Sequence, residues 1–327
     1  MPKFSIIIPT YNSESFIERC LSNVFEYKGA KDEVIVVDND SKDGTREIVK
    51  KFPAKLVICK KVGAPVARNY GVKFAKNEVL VFVDSDVMVQ EGNFERLRSL
   101  MSNKDLCAVT GNYCAYTDAE GILSKFQNLY THNNYAQIGG VRKKLLYNSF
   151  WTAFCTVRKN CFEDVGGFDE SLYALEDIDF GVRLSKKGYR ILLDKTIQNI
   201  HYSKFSLKKF FYNYYNKTRA WFDISMVKGS LKYEGYDNLR SKLLLFSANL
   251  FILFFVVSLF LLRYGWGVLV FPLGVLAFFC LVNYKFFVIA RNTQGVSFTL
   301  LSIPLSVMAY FFIAVGILGG IKGWLVK

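Results

Sequence analysis

The sequence predicts an α/β domain on an open, mostly parallel sheet, followed by a helical region that crosses a membrane. Three observations predict it. Short apolar runs alternate with helix-periodic segments, polar and acidic residues gather where those runs end, and acidic residues disappear after Asp237. A chain of 327 residues suits one globular domain with a substantial addition. Its 51% apolar content and six prolines, with no sustained heptad, exclude a disordered, collagen-like or coiled-coil chain.

Phe4–Pro9, Glu33–Asp38 and Val79–Asp84 are short, Val- and Ile-rich and end in turn residues, as fully buried parallel strands do. Between the first two, Phe16, Ile17, Cys20, Leu21 and Val24 fall at helical spacing, and Asn12 or Ser13 is placed to cap that helix. Helices over Thr45–Phe52 and Pro65–Ala75, with a short strand at Lys55–Cys59, continue the alternation. Such sheets bind ligands beyond the carboxyl ends of their strands. Those ends carry Pro9-Thr-Tyr-Asn, Asp38-Asn-Asp-Ser-Lys-Asp-Gly-Thr and Asp84-Ser-Asp. Asp40 and Asp43 are equally readable as caps of the next helix. Asp84 and Asp86, one residue apart after a strand, are expected to share a divalent cation that relieves their repulsion. No GxGxxG or GxxxxGK[ST] motif follows the first strand, which disfavours a dinucleotide dehydrogenase or P-loop enzyme.

From Leu243 onward there are five basic residues and no acid; the other 37 of 42 basic residues and all 28 acidic residues lie in 1–242. Three uncharged windows, Leu243–Leu262, Gly265–Tyr284 and Ser297–Ile321, are each long enough to cross a hydrocarbon core. Arg263-Tyr264 forms a tight turn between the first two, while Pro304 and the Gly316, Gly319, Gly320 cluster mark the third as kinked or re-entrant. Lys285 and Arg291 return to the cytoplasmic side by the positive-inside tendency, although Lys322 and Lys327 then fall outside. Residues 204–242 form a basic, aromatic collar. From Arg183 to Lys232 twelve basic residues face only Asp194 and Asp223, and Lys208, Lys209, Lys217 and Arg219 interleave with aromatics. That pattern fits an interfacial helix on anionic lipid better than a nucleic-acid surface, given the adjacent spans. Seven cysteines, odd in number and without a CxxC pair, indicate a reducing compartment, and the N-terminal apolar run is too short for a secretory leader. The globular domain is expected at the cytoplasmic face.

Taken in order and spacing, Pro9-Thr-Tyr-Asn, Val37-Asp-Asn-Asp-Ser-Lys-Asp-Gly-Thr, Gly63-Ala-Pro-Val-Ala-Arg-Asn-Tyr-Gly, Asp84-Ser-Asp and Glu176-Asp177 resemble the family-2 inverting glycosyltransferases of the GT-A fold. The resemblance spans about residues 3–202 and implies domains 1–203 (GT-A), 204–242 (collar) and 243–327 (membrane). It implies a nucleotide-sugar donor, UDP- or GDP-linked, with Mn²⁺ or Mg²⁺. Pro9, Thr10 and Tyr11 with Asp38 would hold the base, and Arg68 would pair with the diphosphate. Asp84 and Asp86 would serve ribose and metal, and His201 would be a late metal ligand. Neutralising a departing diphosphate is the physical sense of a divalent ion and an arginine there.

The acceptor side would be built by Phe150–Arg158, Val165–Leu172 and a helix beginning near Glu176, with Leu123–Tyr147, partly helical, as a lid. At that helix start the dipole keeps a carboxylate ionised, which suits Asp177 as general base with Glu176 orienting the acceptor. Asp179 points elsewhere by helical rotation. A single in-line attack opposite the leaving group inverts the anomeric centre. The expected acceptor is a hydroxyl of a lipid-linked or membrane-proximal glycan. The alternatives are transfer to polyprenyl phosphate, which needs no strong base, a processive synthase, for which Asn216-Lys-Thr-Arg-Ala-Trp lacks the full Gln-x-x-Arg-Trp pattern, and a silent scaffold. Oligomeric state has no signal in the sequence.

Overall fold

The computed structural model describes residues 1–138, 144–147, 149–202, 204–228 and 239–325. Lys232, Lys327 and positions 139–143 of the expected lid lie outside the described residues. The chain divides into two compact units, Met1–Thr117 with Gly139–Ser203, and Asp118–Ile138 with Lys204–Lys327. The stretch 118–138, expected within the first domain, is thus part of the second.

In the first unit the chain runs β1 (Phe4–Thr10), α1 (Ile17–Tyr27), β2 (Glu33–Asp38), α2 (Thr45–Val49), β3 (Lys55–Ile58), α3 (Ala64–Val72), β4 (Val79–Val83), β5 (Val87–Met88), α4 (Asn93–Met101) and β6 (Leu106–Tyr113). After α5 (Ile122–Gln137), which belongs to the second unit, come β7 (Lys144–Tyr147), β8 (Phe154–Arg158), α6 (Lys159–Asp164), α7 (Glu176–Lys186) and β9 (Arg190–His201). The nine strands form one sheet in the order β3-β2-β1-β4-β8-β6-β9-β5, with β7 also paired to β9. β3, β2, β1 and β4 are parallel, β8 enters antiparallel, and β6 and β9 are parallel to each other.

The strands read as continuous apolar runs because both faces are covered. Ile6, Ile8, Val34, Val36 and Val81 share one core with Leu21 and Val24 of α1 and Phe94 and Leu97 of α4. Ile7, Ile35, Val37, Leu80 and Phe82 share the other with Val66 of α3, Phe162 of α6 and Phe180 and Leu184 of α7. The first helix starts later than Asn12 or Ser13 would have it. The Ser13 carbonyl accepts the N–H groups of Phe16 and Ile17, while its own N–H donates to Thr45 Oγ1 at 2.8 Å and its hydroxyl meets Ser85 Oγ at 3.0 Å. Committed to those partners, Ser13 makes no side-chain cap, and α1 begins after a preceding turn.

In the second unit, α5 joins α8 (Leu207–Lys228), α9 (Leu239–Leu261), α10 (Val270–Val282), α11 (Tyr284–Gln294) and α12 (Val296–Leu325), with 3₁₀ turns at Leu262–Tyr264 and Trp266–Leu269. Leu239–Tyr264 and Val296–Leu325 are long and apolar enough to cross a membrane. The second expected window is broken instead of the third: Trp266–Val282 and Tyr284–Gln294 meet at 72°, whereas α12 runs through Pro304. Arg240 stabilises the break, donating to the Val282 carbonyl at 3.2 Å and to Asn283 Oδ1 at 2.7 Å. The α12 glycines form a close-contact face, not a kink. A Cβ at Gly316 would lie 2.8 Å from the Tyr215 carbonyl oxygen, and one at Gly320 2.7 Å from the Phe222 ring. Along α8, Phe210, Tyr214, Ala220 and Ile224 are buried, while Lys208, Lys209 and Lys217 are exposed.

α5 is embedded in this bundle. Phe126 is fully buried against Phe210 of α8 and Phe286 of α11, and Tyr130 meets Tyr214 and Tyr310 edge-on. One close approach governs the first unit. A Cβ at Gly181 of α7 would lie 2.3 Å from the Phe150 backbone nitrogen, an obstacle that no rotamer change removes. Gly181→Ala is expected to destabilise the first unit by about 1–3 kcal/mol through overpacking, read as a lower thermal-unfolding midpoint of the purified chain.

Candidate active site

The site is assembled at the carboxyl ends of β1, β2 and β4, from α3 below them and from the first turn of α7. Arg68 on α3 is its centre. Only 4% exposed, it donates from Nη2 to Asp84 Oδ1 at 2.7 Å and from Nη1 to Glu176 Oε1 at 2.6 Å. Burial alone would lower its pKa, but Asp84 and Glu176 reverse that and raise it, so the guanidinium is held charged. Its Nε is buried without a hydrogen-bond partner among the described residues. Burial is also the largest influence on Asp84. With repulsion from Asp86 and Glu176 it outweighs the pull of Arg68, and the carboxyl pKa is raised. Sequence reasoning aimed Arg68 at a diphosphate; the structure pairs it with two carboxylates.

Asp86 and His201 form a second pair, with Asp86 Oδ2 3.2 Å from His201 Nε2. The short bridge of β5 to β9 sets it: Val87 lies opposite His201, and the Tyr202 N–H donates to the Asp86 carbonyl at 2.8 Å. The expected trio of Asp84, Asp86 and His201 does not close into a cage. Among the described residues no three His, Cys, Asp or Glu side chains gather as a metal site, and Asp84 is turned to Arg68. An oxygen and a nitrogen donor side by side nevertheless fit Mn²⁺ or Mg²⁺, ions that take one or two protein ligands and complete their shell with phosphate oxygens and water.

The residues expected to hold the base lie in unlike environments. Pro9 is half-buried, Tyr11 is 53% exposed, and Thr10 is buried with its hydroxyl unpartnered among the described residues. Asp38 is fully buried. Its carboxylate accepts from Arg46 Nε at 2.5 Å and from the Ser41 N–H at 3.2 Å, so it shapes the β2–α2 turn and fixes Arg46. Asp40 pairs with Lys42 and Arg46, and Asp43 accepts from the Thr45 N–H and hydroxyl and from the Glu14 N–H, capping α2.

On the opposite rim, α7 begins at Glu176, as its spacing predicts, after Leu175 in a left-handed conformation (φ 64°). A leucine there is strained, and such strain concentrates at functional sites. Asp177 accepts from the Ile178 N–H at 2.8 Å, and Asp179 is buried and paired with Arg183 at 2.8 Å, outside the site as expected. Two asparagines escaped the sequence reading. Asn39 donates to the Cys59 and Lys61 carbonyls and accepts the Gly63 N–H, tying β2 to the start of α3. Asn69 accepts the Phe168 N–H at 2.9 Å and donates to its carbonyl at 2.8 Å, fixing the loop that covers Arg68. Their only sequence signal is adjacency to Asp38 and Arg68.

Removing one member of a buried ion group strands the others, at about 3–5 kcal/mol. Arg68→Met is therefore expected to lower the unfolding midpoint sharply, and the double variant Arg68→Met/Glu176→Gln less than the sum of its parts. Thermal melts of the four proteins measure the coupling.

Residues 5–166 match the model of the family described as "Glycosyl transferase family 2". The chain is similar to "Glycosyltransferase AglE" of Haloferax volcanii, 29% identical over 209 residues, covering 62% of this chain and 67% of that protein. It is also similar to "O-antigen chain rhamnosyltransferase WbaN" of Salmonella anatum, 24% identical over 232 residues, covering 66% and 71%. The match spans less than half the length of some other curated relatives. Among solved structures, the mannosyltransferase PcManGT from Pyrobaculum calidifontis, in complex with GDP-Man and Mn²⁺, superposes with a TM-score of 0.57 over 98% of this chain and 87% of that one. At 14% identity that likeness speaks to the fold alone. Family match, strand order and rim chemistry converge: the amino-terminal unit is a glycosyltransferase family 2 domain with the GT-A fold, and the chain is a nucleotide-sugar-dependent glycosyltransferase.

Proposed function

We propose that this chain is a membrane-bound inverting glycosyltransferase acting at the cytoplasmic face. It moves a sugar from a UDP- or GDP-sugar to a hydroxyl of a lipid-linked or membrane-proximal glycan, with Mn²⁺ or Mg²⁺ and with Asp177 as general base. The observation that carries the reading is the commitment of Glu176 to Arg68, which fixes the α7 start beside Asp84 and leaves the base role to Asp177. The metal, when bound, neutralises charge on the departing diphosphate. Asp86 and His201 would hold it. Asp177 takes the acceptor hydroxyl proton as the acceptor oxygen bonds the anomeric carbon and the bond from that carbon to the diphosphate breaks. The Ile178 N–H, in the first turn of α7, donates to the Asp177 carboxylate and orients it.

Support for the membrane comes from two long apolar helices, and for a reducing compartment from seven cysteines that form no disulfide among the described residues. Support for a metal and a guanine or uracil nucleotide comes from structural neighbours in complex with GDP-Man and Mn²⁺ and with UDP-GlcNAc. A glycan acceptor is supported by relatives named an O-antigen rhamnosyltransferase and a poly-β-1,6-N-acetyl-D-glucosamine synthase. The exposed lysines of α8 favour a second reading, with polyprenyl phosphate as acceptor.

Base dependence separates the two. Asp177→Asn is expected to lower kcat by roughly 10²–10⁴-fold with donor affinity unchanged if a hydroxyl is attacked, and to leave the rate intact if a phosphate is the nucleophile. Donors are identified by thermal shift of the full chain in detergent with UDP- and GDP-sugars and MnCl₂, since a ligand of the native state raises its melting point. Asp86→Asn is expected to abolish the metal-dependent part of that shift. Transfer unaffected by both substitutions would refute the assignment.

A further inference from the structure

The segment Asn112-Tyr-Cys-Ala-Tyr has no part in the chemistry above, yet the structure brings it to the Asp86–His201 pair. β6 and β9 are parallel with a register break. Thr110 lies opposite Leu193, but Asn112 lies opposite Gln198, so two steps along β6 are matched by five along β9. The three extra residues form a bulge within β9. Asp194 Oδ1 accepts the Thr196 N–H at 3.0 Å and its hydroxyl at 2.7 Å, and Arg96 Nε donates to Asp194 Oδ2 at 2.9 Å. Gly111 makes room, since a Cβ there would lie 2.7 Å from the Ile197 carbonyl oxygen.

An odd shift reverses which side chains share a face. Beyond the break Tyr113 lies opposite Asn199, so it shares a face with His201 two residues on; the earlier register would have put the two on opposite faces. The rings stack with centroids 4.4 Å apart and planes 8° from parallel. Trp151 meets Tyr113 edge-on at 4.4 Å. The same segment holds the His201 backbone: the Cys114 N–H donates to the Asn199 carbonyl at 2.9 Å, and Thr117 Oγ1 donates to the His201 carbonyl at 2.7 Å.

We infer that Tyr113 is a positioning residue, whose stacked ring holds the His201 imidazole with Nε2 directed to the metal position beside Asp86. The inference rests on the metal role given to His201 under the proposed function. An imidazole at a strand end has two side-chain torsions to lose on binding an ion. A flat ring against one face and a tether at its carbonyl remove that freedom beforehand, as partners behind a metal ligand do elsewhere.

The chain has two histidines, so histidine labelling gives two ring signals, and His201→Ala identifies the one at the site. In the full chain in detergent, the His201 ring protons are expected upfield, lying over the Tyr113 face, with the shift lost in Tyr113→Leu and kept in Tyr113→Phe. Mn²⁺ alone, titrated by the EPR signal of the free ion, is expected to bind Tyr113→Leu roughly three- to tenfold more weakly, the worth of one stacked pair, and Tyr113→Phe as well as the parent. Equal Mn²⁺ affinity in parent and Tyr113→Leu, or a histidine shift indifferent to that change, overturns the inference. Absence of Mn²⁺ binding by the parent, with the ring shift present, overturns the metal reading itself. Should Tyr113→Leu fail to fold, Trp151→Leu is expected to reduce both signals in part, and unchanged values would reject the positioning role.

Discussion

A single buried guanidinium organises the catalytic rim. Arg68 lies beneath the strand ends, where a charge is costly, and is tolerated because Asp84 and Glu176 each take one of its terminal nitrogens. The two carboxylates would otherwise repel each other across the cleft. Through this bridge, the end of β4 and the start of α7, more than ninety residues apart in sequence, become one rigid rim. Asn69, one residue on, locks the loop whose Phe168 packs over the guanidinium, so one turn of α3 serves charge, loop and cover at once.

The Asp86–His201 pair depends on strand pairing more than on side-chain choice. Asp86 and His201 come together because β5 and β9 bridge at that point, and His201 faces the correct way because β9 takes an odd detour beyond Thr110. Catalysis at such a rim draws on prearranged groups that change little during the reaction, since the protein need not reorganise as charge moves to the departing diphosphate. Ion bridge, register break and aromatic stack each hold side chains of this rim in place.

The parallel strands, α7 and the acidic motifs were legible because each rests on a local rule: a continuous apolar run, a helical repeat, carboxylates after a strand. Asp38 was legible as a residue of the β2 end, but its partner was not, since a turn can direct a carboxylate inward or outward and Arg46, eight residues on, takes it inward. Arg68 was legible as a functional arginine, but its partners were not, since the nearer, Asp84, is 16 residues away and Glu176 108. In the second unit the apolar runs announced helices long and apolar enough to cross a membrane, yet the break fell at Asn283, where Arg240 satisfies a freed carbonyl, and not at Pro304.

By itself, the sequence determined the alternation of strand and helix, the acidic rim, the family and the apolar tail, because burial and periodicity act over a few residues at a time. Only the tertiary structure decided which carboxylate Arg68 holds, which face His201 shows, and that residues 118–138 leave the sheet to pack among the carboxy-terminal helices. Those outcomes turn on register parity, long-range ion pairing and competition between surfaces for the same apolar side chains. Each is a balance between distant groups, which no window of neighbouring residues contains.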